Sequence, residues 1–148
     1  MDDNINAIPS HLQPFLTLHC LELPLNSWKI LNALNDAIKA IDGKIRIDKK
    51  YRIILGRPPL SVPVGDTNSL TCILDNDVIG LTMENIIFLD CLKLQCQPPQ
   101  QTVAIILEEL VHCLMNVADE NLVKQIVPLL YPYVEWDELR SYWPKQDV

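Results

Sequence analysis

Asn26 and Ser27 precede a run in which Ile30, Leu31, Leu34, Ile38 and Ile41 recur at three- and four-residue spacing. That is the period of one helix face, and Gly43 stands where a helix ends in a left-handed turn. The period then drops to two. Lys44-Ile45-Arg46-Ile47 and Tyr51-Arg52-Ile53-Ile54-Leu55, joined by Asp48-Lys49-Lys50, predict a hairpin. Gly56-Arg57-Pro58-Pro59 breaks it, and residues 60–68, with Pro63 and Gly65, read as a loop. Further strands are expected over Leu70–Leu74, Val78–Leu81 and Ile86–Leu89. From Pro98-Pro99 the pattern is helical. Gln100 to Val117 runs without a breaker and is apolar nearly all round, as a helix packed on both sides must be. Another helix is expected over Ala118–Val127, checked by Pro128, and a last one over Pro132–Trp143, covering the core with Trp136 and Trp143.

These elements predict one α+β domain: a helix, a small, mostly antiparallel sheet, a buried motif helix and a helical C-terminal cover. Residues 1–26, marked by Pro9, Pro14 and Pro24, form an irregular segment with room for a short helix; 27–97 hold the helix and sheet, and 98–148 the helical part.

Composition narrows the class. Apolar residues make up 49% of the 148 and charged residues 21%, enough to build a core and too apolar for a disordered chain. The longest apolar run, Val103 to Leu107, is far short of the roughly 20 residues that span a bilayer. Met1-Asp2-Asp3-Asn4 is acidic where a secretory signal is basic, so no membrane association and a cytoplasmic location are expected. Cys20, Cys72, Cys91, Cys96 and Cys113 make no CxxC pair and read as reduced, buried thiols. The net charge of −7 is uneven: residues 1–57 carry +2 and 58–148 carry −9. Lys44, Arg46, Lys49, Lys50, Arg52 and Arg57 crowd the predicted 44–57 hairpin. That is a candidate phosphate or nucleic-acid contact, and a solvated hairpin face accounts for it more simply.

The chemistry concentrates in Leu107-Glu108-Glu109-Leu110-Val111-His112. An unpaired charge on a buried helix costs several kcal/mol, so three ionisable groups there need a reason. Glu108 and His112, four apart, share a face with Cβ atoms about 5 to 6 Å apart, a spacing from which one helix can hold one cation. Asp119 and Glu120 follow closely enough to turn back to the same place. A plain carboxylate–histidine pair satisfies the same spacing. Di-iron carboxylate bundles share the ExxH pattern but need a second such motif, which this chain lacks. No P-loop, GxGxxG or GxSxG motif is present.

The motif resembles the HExxH helix of zincin-type metallopeptidases, with the first histidine replaced by glutamate. Asn85-Ile86-Ile87-Phe88-Leu89-Asp90 before it is similar to a zincin edge strand, and Pro128-Leu129-Leu130-Tyr131-Pro132 after it to the end of that segment in minimal intracellular peptidases. The resemblance implies Glu108 and His112 as metal ligands, Asp119 or Glu120 as the third, and Glu109 as general base, with Zn2+ or another divalent cation as cofactor. It also implies an extended peptide pinned along the sheet edge. The substitution adds negative charge, which favours harder cations and makes bound water less acidic. The expectation is therefore a zincin-like domain with a degenerate site, which binds a peptide or protein, or serves assembly, without catalysis. A small metal-dependent peptidase is the alternative, and nucleic-acid contact the weaker one.

Overall fold

The computed structural model describes residues 7–145. A 3₁₀ turn at Ser10–Leu12 leads into strand β1, Leu16–Leu21. Helix α1, Trp28–Ile41, returns the chain to β2, Tyr51–Gly56, which pairs with β1 in parallel. The α1 face read from the sequence is the one that packs: Ile30, Leu34, Ile38 and Ile41 are buried, and Gly43 takes the expected positive φ of 77°.

The expected 44–55 hairpin is not formed. Residues 44–50 are irregular, and β2 has β1 on one side and β6, Ile86–Asp90, on the other, both parallel. Its Ile53, Ile54 and Leu55 are all fully buried. A continuous apolar run of this kind marks a central strand covered on both faces, with no solvent side for an alternating hairpin. β1 likewise corrects the expectation of an irregular segment where it falls on residues 16–21, while the Ser10–Leu12 turn occupies the room left for a short helix and residues 1–6 lie outside the described residues. β5, Gly80–Met83, closes the sheet antiparallel to β6, giving the order β1-β2-β6-β5. Among the described residues three of the five ladders are antiparallel, but the sheet at the centre is mixed.

The two faces of this sheet are covered differently. Ile53, Leu55, Ile87 and Leu89 point into the main core beneath α1 and the motif helix. Ile54, Ile86 and Phe88 point the other way, against Leu60, Val62 and Cys72. Those last residues belong to an antiparallel hairpin of β3 (Leu60–Val64), which lies in the stretch read as a loop, and β4 (Asn68–Cys72), which overlaps the strand expected over Leu70–Leu74. Pro63 fits there because it lies in a two-stranded unit, where one of its sides needs no ladder bond.

The short helix α2, Cys91–Gln95, is capped by the buried Asp90, whose carboxylate accepts the Leu92 and Lys93 amides. The α2 residue Lys93 donates to the Asp75 and Val78 carbonyls, so the turn entering β5 is fastened to this helix. Helix α3, Pro99–Leu114, is the motif helix and is buried on most sides as expected, and α4 covers Glu120–Leu130, continuing past Pro128. The expected final helix is instead a β-hairpin, β7 (Val134–Asp137) with β8 (Ser141–Pro144). Tyr142, rather than Trp143, is its buried aromatic; Trp143 lies outside, against Arg140. The fold is α+β, and no helix among the described residues is long and apolar enough to cross a membrane.

Candidate metal centre

The helical period of α3 carries Glu108 and His112 to the same side and Glu109 about 100° away. All three are half-buried at the margin of α3 that borders a cleft, while Leu107, Leu110 and Val111 fill the core. The chain leaves α3 through Asn116, at φ 52°, and turns back so that α4 begins beside His112. Asp119 caps α4: its carboxylate accepts the amides of Asn121 (2.9 Å) and Leu122 (3.3 Å). That use fixes the cap and leaves Asp119 outside the cluster. Glu120, the next residue, enters it. One ligand atom from each of Glu108, His112 and Glu120 lies within 4.8 Å of the others.

His112 is oriented as a ligand histidine would be. Its Nδ1 is 2.6 Å from the Val117 carbonyl, which can only accept, so Nδ1 carries the proton. Nε2 then faces the cluster, 3.3 Å from a Glu120 oxygen: protonated, it donates there, and deprotonated, it offers its lone pair to a cation. Two donors bound to one tetrahedral ion at about 2.0–2.2 Å stand about 3.3–3.6 Å apart, so this pair already has the separation required. Glu120 is mostly exposed and free to adjust, and two carboxylates with one imidazole suit Zn2+, Mn2+ or a similarly borderline-to-hard divalent ion. The residues fit a cation.

The electrostatics point the same way. Burial raises the Glu108 carboxyl above its ordinary pKa, partly opposed by the hydrogen bond from Tyr142. Glu109 is raised for the same reason, with the Thr82 hydroxyl opposing. Burial pushes His112 down, but the Val117 carbonyl and Glu120 outweigh it, and its pKa is raised. Glu108 and Glu109 thus hold their protons more tightly than usual because they are withdrawn from water, and a divalent cation would compensate the charge that burial disfavours.

Glu109 stands apart from the ligand set. Its Oε2 accepts a hydrogen bond from Thr82 of β5 at 2.9 Å. Gly80 of the same strand lies directly over it: a Cβ there would come within 2.7 Å of Glu109 Cγ. Any larger residue at Gly80 would have to displace the Glu109 side chain or the strand, because the two share the space. Glu108 is held from the other side, its Oε2 accepting from the Tyr142 hydroxyl at 2.5 Å. Burial first, and then Glu108, push the Tyr142 phenol far above its ordinary pKa, so it stays protonated and donates.

The cleft is about 450 Å³, with α3 as floor, β5 on one wall and α4 with the C-terminal hairpin on the other. It continues past Glu109 and His112 towards Asn116 as a second groove of about 490 Å³. Thr82, Gly80 and Tyr142 were not singled out from sequence. Gly80, one of only four glycines and set inside a strand, was the one available signal.

Cys113 is buried, and burial followed by Glu109 pushes its thiol up to about 11, as expected of a core thiol. Cys72 and Cys91 are buried too, whereas Cys20 and Cys96 are exposed, against expectation. The basic 44–57 segment forms no hairpin face. Lys44 donates to the Leu130 carbonyl and Arg52 to the Pro63 carbonyl, on different elements, while Arg46 pairs with Asp48 within the segment itself.

Comparison of the chain with protein-family models, curated proteins and solved structures returned no match.

Proposed function

We propose that this chain is a zincin-like domain that holds a divalent cation on Glu108, His112 and Glu120 and binds an extended peptide or protein segment along β5 without cleaving it. The convergence of those three side chains, with His112 turned to offer Nε2, carries the reading. The order of elements supports the zincin likeness: an antiparallel edge strand lies beside the motif helix, and β5 ends the sheet with one side free for a further strand. The five free thiols support a reducing, cytoplasmic setting.

A bound cation supplies Lewis acidity towards a carbonyl oxygen of the bound segment. The residues of the chain temper it. Glu108 brings a negative charge where the HExxH pattern has a neutral imidazole, which lowers the pull of the cation on electrons. Glu109 spends one oxygen on Thr82 and lies under Gly80, so it fastens β5 to α3. Calorimetric titration of chelator-treated protein with Zn2+ and Mn2+ tests the site. Binding is expected for the wild type and its loss for Glu108→Ala, His112→Ala and Glu120→Ala; no wild-type binding refutes the proposal.

Hydrolysis is the second reading, favoured by one observation: Glu109 also lines the cleft, next to Glu108. Incubation of the metal-loaded protein with an unfolded polypeptide decides between them. Cleavage that vanishes in Glu109→Gln would replace the binding role by a peptidase.

A further inference from the structure

The C-terminal hairpin touches the proposed cation site at two points. From β8, the Tyr142 hydroxyl reaches Glu108 on α3 at 2.5 Å. From β7, the Trp136 ring carries the Lys124 ammonium at 4.6 Å, and Lys124 lies one turn along α4 from Glu120. The two aromatic rings face each other across the ladder, with centroids 5.1 Å apart and an edge-to-face tilt of 68°. The hairpin therefore grips both helices that supply carboxylates to the site.

Tyr142 is built to hold its partner still. Its side chain is 3% exposed and packed against Trp136, so the hydroxyl has little freedom. Glu108 has three side-chain torsions and, untied, many ways to point. A carboxylate offers about four lone-pair positions, and the phenol uses one on Oε2, which leaves the second oxygen free. Outer hydrogen bonds of this kind orient metal ligands, and their removal costs about 10–100-fold in metal affinity.

We infer that Tyr142 is a positioning residue for the cation site, through its hydrogen bond to Glu108, and that docking of the β7–β8 hairpin and cation binding reinforce one another. The inference rests on the proposed Glu108–His112–Glu120 site. Linkage is reciprocal: if the docked hairpin tightens the site, the bound ion must hold the hairpin down by the same factor.

The test uses the full chain, Zn2+ alone as probe, and the Tyr142→Phe variant, which keeps the ring and removes only the hydroxyl. Calorimetry should give roughly tenfold weaker Zn2+ binding for Tyr142→Phe. Limited trypsin digestion provides the second readout, at Arg140 in the exposed hairpin turn. Zn2+ should slow cleavage there in the wild type and do so about tenfold less in the variant. Wild-type binding with equal or tighter binding by Tyr142→Phe would overturn the positioning role, tighter binding marking the phenol as a mask on Glu108. Unchanged digestion with Zn2+ would overturn the coupling. No binding by the wild type would remove the cation site itself, and this inference with it.

Discussion

Gly80→Ala should destabilise the protein through a single neighbour. The added methyl would lie 2.7 Å from Glu109 Cγ and 3.0 Å from its Cδ, where ordinary carbon contacts are about 3.5–4.0 Å. About 0.8 Å or more must therefore be found. Either Glu109 swings away and loses its 2.9 Å bond from Thr82, or β5 backs off from α3. Overpacking of this size costs about 1–3 kcal/mol, and a lost hydrogen bond to a charged group about 1.5–3 kcal/mol. The two overlap, because one movement relieves the clash by giving up the bond. Alanine returns about 0.5–1 kcal/mol through the unfolded chain, since Gly80 has no positive φ. The net expectation is a loss of about 1–3 kcal/mol, or a fall in Tm of roughly 3–10 °C for a chain of this length. Urea unfolding followed by circular dichroism measures it, and the decisive step is a double-mutant cycle with Glu109→Ala. With Glu109 shortened the clash partner is gone, and Gly80→Ala should become neutral or slightly stabilising. An equal loss in both backgrounds would refute the claim that Gly80 exists to seat Glu109.

Asp119 and Glu120 should separate cleanly. Asp119→Ala is expected to cost about 0.5–2 kcal/mol as a lost helix cap while Zn2+ still binds, whereas Glu120→Ala should leave stability within about 0.5 kcal/mol and abolish binding; thermal unfolding and calorimetry report the two. In chelated protein, Glu109→Gln should become progressively more favourable relative to the wild type as pH rises from about 4 to 7. The folded pKa of Glu109 lies above its unfolded value, so the folded state binds the extra proton, and the wild type gives up that advantage as pH rises through the folded pKa. Denaturant unfolding of both proteins across that range checks the sign.

The helices were legible because each writes its burial into its own period. Ile30, Leu34, Ile38 and Ile41 define the buried face of α1 without reference to anything else, and so do the apolar residues of α3. Glu108, Glu109 and His112 stood out because charge on such a helix is costly. What failed was non-local. Ile53-Ile54-Leu55 reads as a strand, but nothing in it names Leu16–Leu21 as a parallel neighbour on the far side of α1. Strand Leu60–Val64 was hidden by Pro63, although its partner was expected over Leu70–Leu74, and the hairpin Val134–Pro144 by aromatic residues whose spacing suits either a helix or a strand. For the third ligand the sequence offered Asp119 and Glu120 alike; only the turn after α3 commits Asp119 to the cap.

The way the sheet is wired bears on how the chain reaches its folded state. β1–β2 and β2–β6 both join segments separated by long stretches of chain, whereas β5 and β6 meet across Glu84-Asn85 alone. Closing a long loop costs entropy before any contact repays it, so the parallel interior waits on collapse around α1, while the β5–β6 turn can close early and locally. The strand that bears Gly80 and Thr82 is therefore among the cheapest parts of the sheet to assemble, and its register with β6 needs no contact with Glu109 to form.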